Sequence, residues 1–420
     1  MASFISWLDH SDEDQQRVRE MLKLFSTPDT VDDLGVGTIR DSISNALFPG
    51  TSVAQTRVRY FLFIPWIFRS AEERYPQAVV AKAWDMERRL IGALKAGGER
   101  DGLIGVDAGK DLRVLPSEIY WSGLVRYGIF LVPSLRIRQY GRLAVRGLVK
   151  PEDDGELDDR TPSFWQRDIP DPPRELLRFE KANFDLTRPE AEWLCERILS
   201  SDGGGDGGSS LLAAYIRELQ RDPKRKRVKY VWDAELPAGA PAVMRDLVHH
   251  AERFSCAVQG AALLYNLMLA EQRVAAGLKA RHRTSPGHYR EQLETWAATA
   301  TGVRLAKWAV AIDSFRDCLM EIGAPVPAAT RNFVDDWAAV LASGTVDIGS
   351  SEPAREVVRN RELVHKRAQA RFANSRRLAE WRGDAGTARL SFRWPQVQRM
   401  LGDLQAGLRR APLGENDALA

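Results

Sequence analysis

Apolar residues recur at helical spacing along most of the chain. The segment DEDQQRVREMLKLF predicts a first helix, because acidic residues fill its first turn and its apolar residues share one face. Those apolar residues are Val18, Met21, Leu22 and Phe25. A second helix is predicted over 36–47, before the Phe-Pro-Gly turn at 48–50. A third is predicted to begin at Ser52 or Val53 and to run towards Pro65.

Helical patterns also fill the second half of the chain. LTRPEAEWLCERIL predicts a helix capped by Thr187, with Glu190 placed to complete a capping box. A long helix is predicted from Pro241, and its middle is apolar nearly all round, which is typical of a central helix. Two more helical patterns cover 288–300 and 301–322.

These patterns predict a mainly α fold with two helical domains and minor β elements. The N-terminal domain is aromatic-rich and covers 1–150, and an acidic, proline-rich connection follows at 151–174. The C-terminal domain covers 175–420 and contains a flexible glycine-rich loop at 200–210. Short β elements are expected at VKYVWDA and TARLSFRW.

Composition is that of an ordinary globular protein, with 44% hydrophobic and 28% charged residues among 420. The sequence has no apolar run of about 18 residues and no signal peptide at its start. Its three cysteines, Cys195, Cys256 and Cys318, are far apart, which suits a reducing compartment. We therefore expect a soluble cytoplasmic protein with no membrane contact.

Net charge is only +3, so any contact with DNA must come from a local basic patch. The densest basic run is KRKRVKY, which is followed by Trp232. A second patch is a stripe of basic residues at helical spacing over 355–377. Both could instead be solvated surface charge. The candidate DNA-binding residues are Lys224, Arg225, Lys226, Arg227, Arg359, Lys366, Arg367, Arg371, Arg376 and Arg377.

Common catalytic and cofactor motifs are absent from the sequence. It contains no GxxxxGK[ST] loop, no GxGxxG that follows a predicted strand, and no HExxH, paired CxxC or GxSxG motif. His249 and His250 are adjacent, so they point to different faces of their helix, and His282 and His288 flank a break. We therefore expect no metal and no cofactor.

The stretch 37–66, GTIRDSISNALFPGTSVAQTRVRYFLFIPW, combines charged and polar side chains with the densest aromatic run. On the predicted second helix, Arg40 and Asp41 are adjacent and Asn45 follows one turn later. On the predicted third helix, Gln55 and Arg59 share a face. The candidate site residues of this stretch are Arg40, Asp41, Asn45, Gln55, Arg57, Arg59, Tyr60 and Trp66.

Two interpretations of this stretch remain open from the sequence. One is structural: a buried Asp–Arg network fixes how two helices meet, since buried charges are costly unless paired. The other is a pocket in which arginines hold phosphate, Tyr60 or Trp66 stacks on a planar ring, and Gln55 or Asn45 reads its edge. Asp41 would then activate a water molecule as general base.

The same stretch carries a family resemblance. The motifs SFISWLDHSDED, GTIRD, FPGTS, QTRVRYFLFIPW and PSEIYW, with the later QGAALLYNLMLAE, RFANSRRLAEW and RLSFRWPQV, resemble a bacterial family of unknown function. The resemblance covers nearly the whole chain. It implies a place beside helicases, nucleases and other DNA-acting genes in antiviral islands, and hence a role in defence. It implies no catalytic residues.

Together these observations favour a DNA-acting protein of antiviral defence. The leading hypothesis is a metal-independent hydrolase resembling DNA glycosylases, which removes a base, modified or not. In it, Asp41 is the general base, Arg40, Arg57 and Arg59 grip phosphate or substrate, and Tyr60 and Trp66 stack. The alternative is a non-catalytic DNA-binding or adaptor subunit of a multi-gene defence system, with protein partners. A third hypothesis is a regulator that senses a small nucleotide.

Overall fold

The computed structural model describes residues 32–145, 163–202, 209–219, 227–278, 284–344, 347–383 and 386–411. The first predicted helix, most of the acidic connection and most of the glycine-rich loop lie outside these residues. So do Lys224, Arg225 and Lys226 of the predicted DNA-binding set.

The described residues are mainly α-helical, as predicted. The helices are α1 (Gly37–Leu47), α2 (Tyr60–Arg74), α3 (Val79–Ala96), α4 (Pro116–Arg126), α5 (Ile137–Val145), α6 (Arg174–Arg178), α7 (Arg188–Ser201), α8 (Leu211–Leu219), α9 (Ala242–Ala275), α10 (Pro286–Gly302), α11 (Leu305–Val310), α12 (Ile312–Glu321), α13 (Ala328–Ala342), α14 (Glu352–Lys366), α15 (Ser375–Glu380) and α16 (Trp394–Leu408).

Contacts group the described chain into two units, neither of which is a continuous segment. The first comprises residues 48–219 and 395–411, and the second comprises 32–47 and 227–394. Described residues on both sides of the predicted connection belong to the first unit. The first unit therefore holds α2 to α8 and most of α16, and the second holds α1 and α9 to α15.

The segments expected to form β structure do not do so. VKYVWDA contains a single 3₁₀ turn at Val231–Asp233, and TARLSFRW runs through turns into α16. Within the described residues, β pairing is limited to one bridge between Phe130 and Trp165. These segments are apolar because Val231 and Phe392 fill the core of the second unit.

The third predicted helix begins later than expected, at Tyr60. The residues before it are turns, because their backbone N–H groups donate to distant side chains instead of to a helix. The N–H groups of Thr56 and Arg57 donate to the Tyr120 hydroxyl at 2.8 and 3.1 Å, and that of Val58 donates to Asp403 at 3.1 Å. Gln55 therefore does not share a helical face with Arg59.

Aromatic rings form the core of the first unit. Rings of α2 contact rings of α4, α5 and the segment around Trp165 at centroid distances from 4.9 to 6.2 Å. One acid, Glu87 of α3, is fully buried beside this core. Its carboxylate accepts hydrogen bonds from the N–H and the hydroxyl of Ser117, both at 2.8 Å. Burial raises the pKa of Glu87 to about 8.

The second unit is built around α9, which confirms the predicted central helix. Indole N–H groups of two packing helices donate to its backbone: Trp296 to the Cys256 carbonyl at 2.8 Å and Trp337 to the Ala257 carbonyl at 2.9 Å. The predicted helix over 301–322 is interrupted, since α11 ends at Val310. In the described part of the chain, no helix combines the length and apolarity needed to cross a membrane.

Candidate nucleic-acid interface

Gln55 closes its own loop in the first unit. Its side-chain amide donates to the Gly50 carbonyl at 3.1 Å and accepts from the Ser52 N–H at 3.2 Å. Gly50 has φ +78°, and a Cβ there would lie 2.5 Å from the Tyr127 ring, so the turn requires glycine. Both ends of the Gln55 amide are therefore used within the loop, and it has no free edge for reading a base.

Arg57 pairs with Asp403 of α16. Its Nε lies 3.1 and 3.0 Å from the two carboxylate oxygens, and its guanidinium lies 4.7 Å from the centre of the Phe184 ring. Burial opposes the charge of Arg57, but the hydrogen bond and charge of Asp403 raise the pKa of Arg57 above its usual value. Burial also raises the pKa of Asp403, against the pull of Arg57. The pair joins α16 to the loop before α2.

Arg59 is part of a buried ion pair with Glu190 of α7. One guanidinium nitrogen donates to Glu190 at 2.7 Å, and another donates to the Asn183 side chain at 2.7 Å and to the Asn183 carbonyl at 3.0 Å. The two charged side chains are only 5% and 3% exposed. The other Glu190 oxygen accepts from the Thr187 N–H at 2.8 Å, which confirms the predicted capping box. Arg59 is therefore neutralised inside the first unit.

Tyr60 and Trp66 are core residues. The Tyr60 hydroxyl accepts from the Ile104 N–H at 3.1 Å, and the Trp66 indole donates to the Pro170 carbonyl at 2.6 Å. Both side chains are buried, so neither offers a face for stacking. The cavity beside Gln55, Arg57 and Tyr120 measures about 10 Å³, the room for one water molecule. This part of the stretch fits a structural network, with Glu190 and Asp403 as the acids.

The remaining residues of the stretch, Arg40, Asp41 and Asn45, lie on α1 in the second unit. Arg40 pairs with its neighbour Asp41 at 3.0 Å, and the Asp41 side chain is 51% exposed. The Asn45 side-chain oxygen accepts from Arg393 at 2.7 Å. The two halves of the stretch therefore belong to different units.

The basic stripe divides into an internal and an exposed part. Lys366 and Arg371 both pair with Asp33, and Arg371 also donates to the Tyr265 hydroxyl at 2.7 Å. That hydroxyl donates to the buried Glu362 at 2.6 Å. Lys366 and Arg371 are therefore structural cations of the second unit.

Three arginines form the exposed part, which we call the arginine surface: Arg367, Arg376 and Arg377. Arg377 donates to Gln369 at 2.6 Å, so α15 lies against the turn that begins at Arg367. Glu380 is shared by Arg376 at 3.4 Å and Arg377 at 2.7 Å, and Arg376 is 89% exposed. Glu380 therefore pairs with two of the three arginines. Arg359, earlier on α14, is exposed too but pairs with Glu352 at 3.7 Å.

Arg367 is held in an unusual backbone conformation. It follows the last residue of α14 with φ 50° and ψ −124°, a region that glycine adopts easily and residues with a Cβ do not. Its exposed side chain makes no ion pair or hydrogen bond with a described residue. A basic residue near a helix C-terminus is ordinary, since it complements the helix dipole. The strained backbone conformation is not explained by that effect.

A larger cavity, of about 380 Å³, lies in the second unit between α9 and α12. Its charged lining includes Asp246, Asp317 and Glu321, so it repels phosphate. His250 on its wall accepts from the Trp308 indole through Nδ1 at 3.0 Å, which leaves the proton of the neutral ring on Nε2. Nε2 lies 3.5 Å from the Ser314 hydroxyl and, with that proton, cannot act as its base.

The chain's cysteines have the character of core residues. All three are buried, and burial raises the pKa of Cys256 and of Cys318 to about 11 and that of Cys195 to about 12. They are therefore poor nucleophiles. Over the part of the chain that the structure describes, no three His, Cys, Asp or Glu side chains are grouped to hold a metal ion.

Comparison with known families places the chain. A family model described as Family of unknown function (DUF6361) matches residues 2–407. The chain belongs to this family. The match confirms the resemblance seen in the motifs and covers residues of both units. No curated protein and no solved structure matches the chain.

The acidic partners of Arg57, Arg59 and Lys366 were not found by sequence reasoning. Asp403 lies 346 residues from Arg57, Glu190 lies 131 from Arg59, and Asp33 lies 333 from Lys366. Only Glu190 carried a local signal, its place in a capping box, and that signal concerned its helix rather than Arg59.

Proposed function

We propose that the protein is a non-catalytic DNA-binding or adaptor subunit of a cytoplasmic antiviral defence system. The observation that carries this proposal is Arg367, an exposed arginine whose side chain has no partner among the described residues and whose backbone has a glycine-type conformation. Strained residues persist where their placement matters for function. Planar guanidinium groups bind phosphate oxygens in pairs of hydrogen bonds, which suits a surface that contacts a DNA backbone.

The geometry gives less support to base excision. The residues assigned to stacking, Tyr60 and Trp66, are buried, and those assigned to gripping, Arg57 and Arg59, are paired with acids. Asp41 lies on a half-exposed position beside Arg40 rather than in an enclosed site. A water-activating carboxylate needs a substrate held within hydrogen-bond reach, and the carboxylate of Asp41 is instead paired with the neighbouring Arg40.

DNA affinity is expected to depend on the arginine surface. In the triple variant Arg367→Gln, Arg376→Gln and Arg377→Gln, we expect the dissociation constant for a 20-base-pair duplex to rise at least about tenfold at 50 mM salt, because about three phosphate contacts are lost. The slope of log affinity against log salt should fall by about 2–3. Fluorescence anisotropy of a labelled duplex over a salt series measures both quantities.

A matched control removes the same charge from the first unit. Arg174→Gln, Arg178→Gln and Lys181→Gln also replace three exposed cations, so this variant should keep the wild-type affinity and salt slope. Equal weakening in both triple variants would mean that only net charge matters. Asp41→Asn should bind DNA like the wild type. Release of a base by the wild-type protein that stops in Asp41→Asn would overturn the non-catalytic assignment in favour of a glycosylase.

A second prediction concerns the effect of the strained Arg367 backbone on stability. Arg367→Gly should raise the free energy of unfolding by about 1 kcal/mol, since glycine adopts this backbone conformation freely. Arg367→Ala removes the same guanidinium but keeps the strain, so it should show no such gain. Both variants should lose DNA affinity to the same extent. Urea titration gives the stabilities, and a gain in stability without any loss of affinity would separate the strain from DNA binding.

A further inference from the structure

A partly exposed pair of stacked aromatic rings lies in the second unit, away from the arginine surface. The rings of Tyr230 and Trp232 are 4.7 Å apart between centroids and inclined by only 12°. Tyr230 has extended backbone, with φ −129° and ψ 157°, so residues 230 and 232 can point to the same side. The indole N–H of Trp232 has no acceptor among the described residues. The Trp232 side chain is partly exposed, so water can accept this hydrogen bond.

The pair of rings packs on core residues of the second unit. Val231, between the two aromatic residues, is fully buried. The Trp232 ring meets the buried Phe392 edge-on at 6.3 Å. The 3₁₀ turn at Val231–Asp233 fixes the backbone between them. The rings are therefore presented on a supported turn rather than on a loose loop.

Cations surround the rings. The guanidinium of Arg389 lies 5.1 Å from the centre of the Tyr230 ring and 4.6 Å from that of Trp232. Arg389 is held in place by a 2.9 Å hydrogen bond to the Glu252 carbonyl of α9. The Lys229 ammonium lies 5.1 Å from the Tyr230 ring, and Arg227 is exposed two residues earlier. Neither Lys229 nor Arg389 is ion-paired with a described carboxylate.

We infer that Tyr230 and Trp232 form a stacking site for the bases of single-stranded DNA, with Lys229, Arg227 and Arg389 along its phosphates. Aromatic faces bordered by cations bind single strands, because every unpaired base offers a face for stacking. Bases inside a duplex are already stacked on each other, so a duplex cannot use the rings. This inference rests on the proposed DNA binding and names the form of DNA that the stacking site takes.

The stacking site and the arginine surface are separate places. At the stacking site, Arg389 donates to the Glu252 carbonyl of α9. At the arginine surface, Arg273 of α9 donates to the Leu378 carbonyl of α15 at 2.8 Å. These two positions are 21 residues apart on one helix, a separation of roughly 30 Å at 1.5 Å per residue. Substitutions at one place therefore leave the other intact.

The test compares a 12-nucleotide oligothymidylate with an abasic strand of the same phosphate number. The wild-type protein should bind the thymidylate on the order of tenfold more tightly, since only this strand can stack. The double variant Tyr230→Ser and Trp232→Leu should bind both strands equally, and Trp232→Phe should keep the preference. The triple arginine variant should weaken both strands by the same factor.

Each failure has a distinct signature. Equal wild-type affinity for the two strands would overturn the stacking site while leaving DNA binding in place. Retention of the preference in the double variant would also overturn it. If the wild-type protein bound neither single strands nor duplex DNA, the proposed function itself would be overturned. If circular dichroism shows that the double variant does not fold, Tyr230→Ser alone decides, because the ring that contacts the core residue Phe392 is that of Trp232.

Discussion

Glu190→Ala is expected to destabilise the first unit by about 3–5 kcal/mol, because it leaves the buried charge of Arg59 without a partner. The same substitution removes the acceptor for the Thr187 N–H at the start of α7. Glu190→Gln separates the two effects: it keeps an acceptor at the helix start and removes only the charge. We expect Glu190→Gln to lose most of the free energy of unfolding that Glu190→Ala loses. The reason is that an unpaired buried charge costs more than a missing helix cap.

The control for this experiment lies two residues further along α7. Glu192 pairs with Arg188 at 2.8 Å, but both side chains are about half exposed. Exposed pairs contribute about 0–1 kcal/mol, so Glu192→Ala should leave the urea midpoint nearly unchanged. Urea unfolding measured with a probe in the first unit supplies the comparison. A Glu190→Ala variant as stable as Glu192→Ala would show that Arg59 finds another partner or water.

Glu87 is expected to make the stability of the first unit depend on pH above about 4.5. The pKa of Glu87 is about 8 in the folded chain, and its ordinary value, which applies to the unfolded chain, is 4.5. Between these two pH values the folded state therefore keeps a proton that the unfolded state has released. Its contribution to stability is therefore complete below about pH 4.5 and is lost as pH rises to about 8. The loss amounts to on the order of 4 kcal/mol at one proton per molecule.

Glu87→Gln removes the titrating proton while keeping partners for Ser117. The variant should lose most of this pH dependence. Its free energy of unfolding relative to that of the wild type should therefore rise steadily from pH 5 to pH 8. Glu73→Gln, on an exposed position of α2, should keep the wild-type dependence. Urea titrations of the three proteins at pH 5, 6.5 and 8 measure the slopes. Parallel slopes for wild type and Glu87→Gln would mean that Glu87 is ionised at neutral pH in the folded chain.

The helices could be predicted from the sequence because their signals are local. The capping box of Thr187 and Glu190 and the apolar pattern of α9 depend on residues a few positions apart, and both were confirmed. The start of α2 was predicted wrongly for the opposite reason. Its N-terminal neighbours find hydrogen-bond partners at Tyr120 and Asp403, which no local pattern reveals.

The candidate site was harder to predict, because burial decides what a charged residue does. The sequence shows Lys366, Arg367, Arg371 and Arg376 as equivalent basic positions. In the structure, Asp33 pairs with two of them and the other two face solvent. Similarly, one interpretation of the stretch 37–66 was a network of paired charges, but the acids that pair with Arg57 and Arg59 come from α16 and α7 and not from the stretch itself.

The pairing of Arg57 with Asp403 has a consequence for the order in which the chain folds during synthesis. The two residues are 346 positions apart, and Asp403 also accepts the backbone N–H of Val58. At about 5–20 residues per second, a ribosome needs roughly 20–70 seconds to add the segment that separates them. Until Asp403 has been synthesised, Arg57 and the Val58 N–H in the loop before α2 lack their carboxylate partner. The first unit therefore begins to be synthesised early in translation and is completed only when its last described helix, α16, has been made.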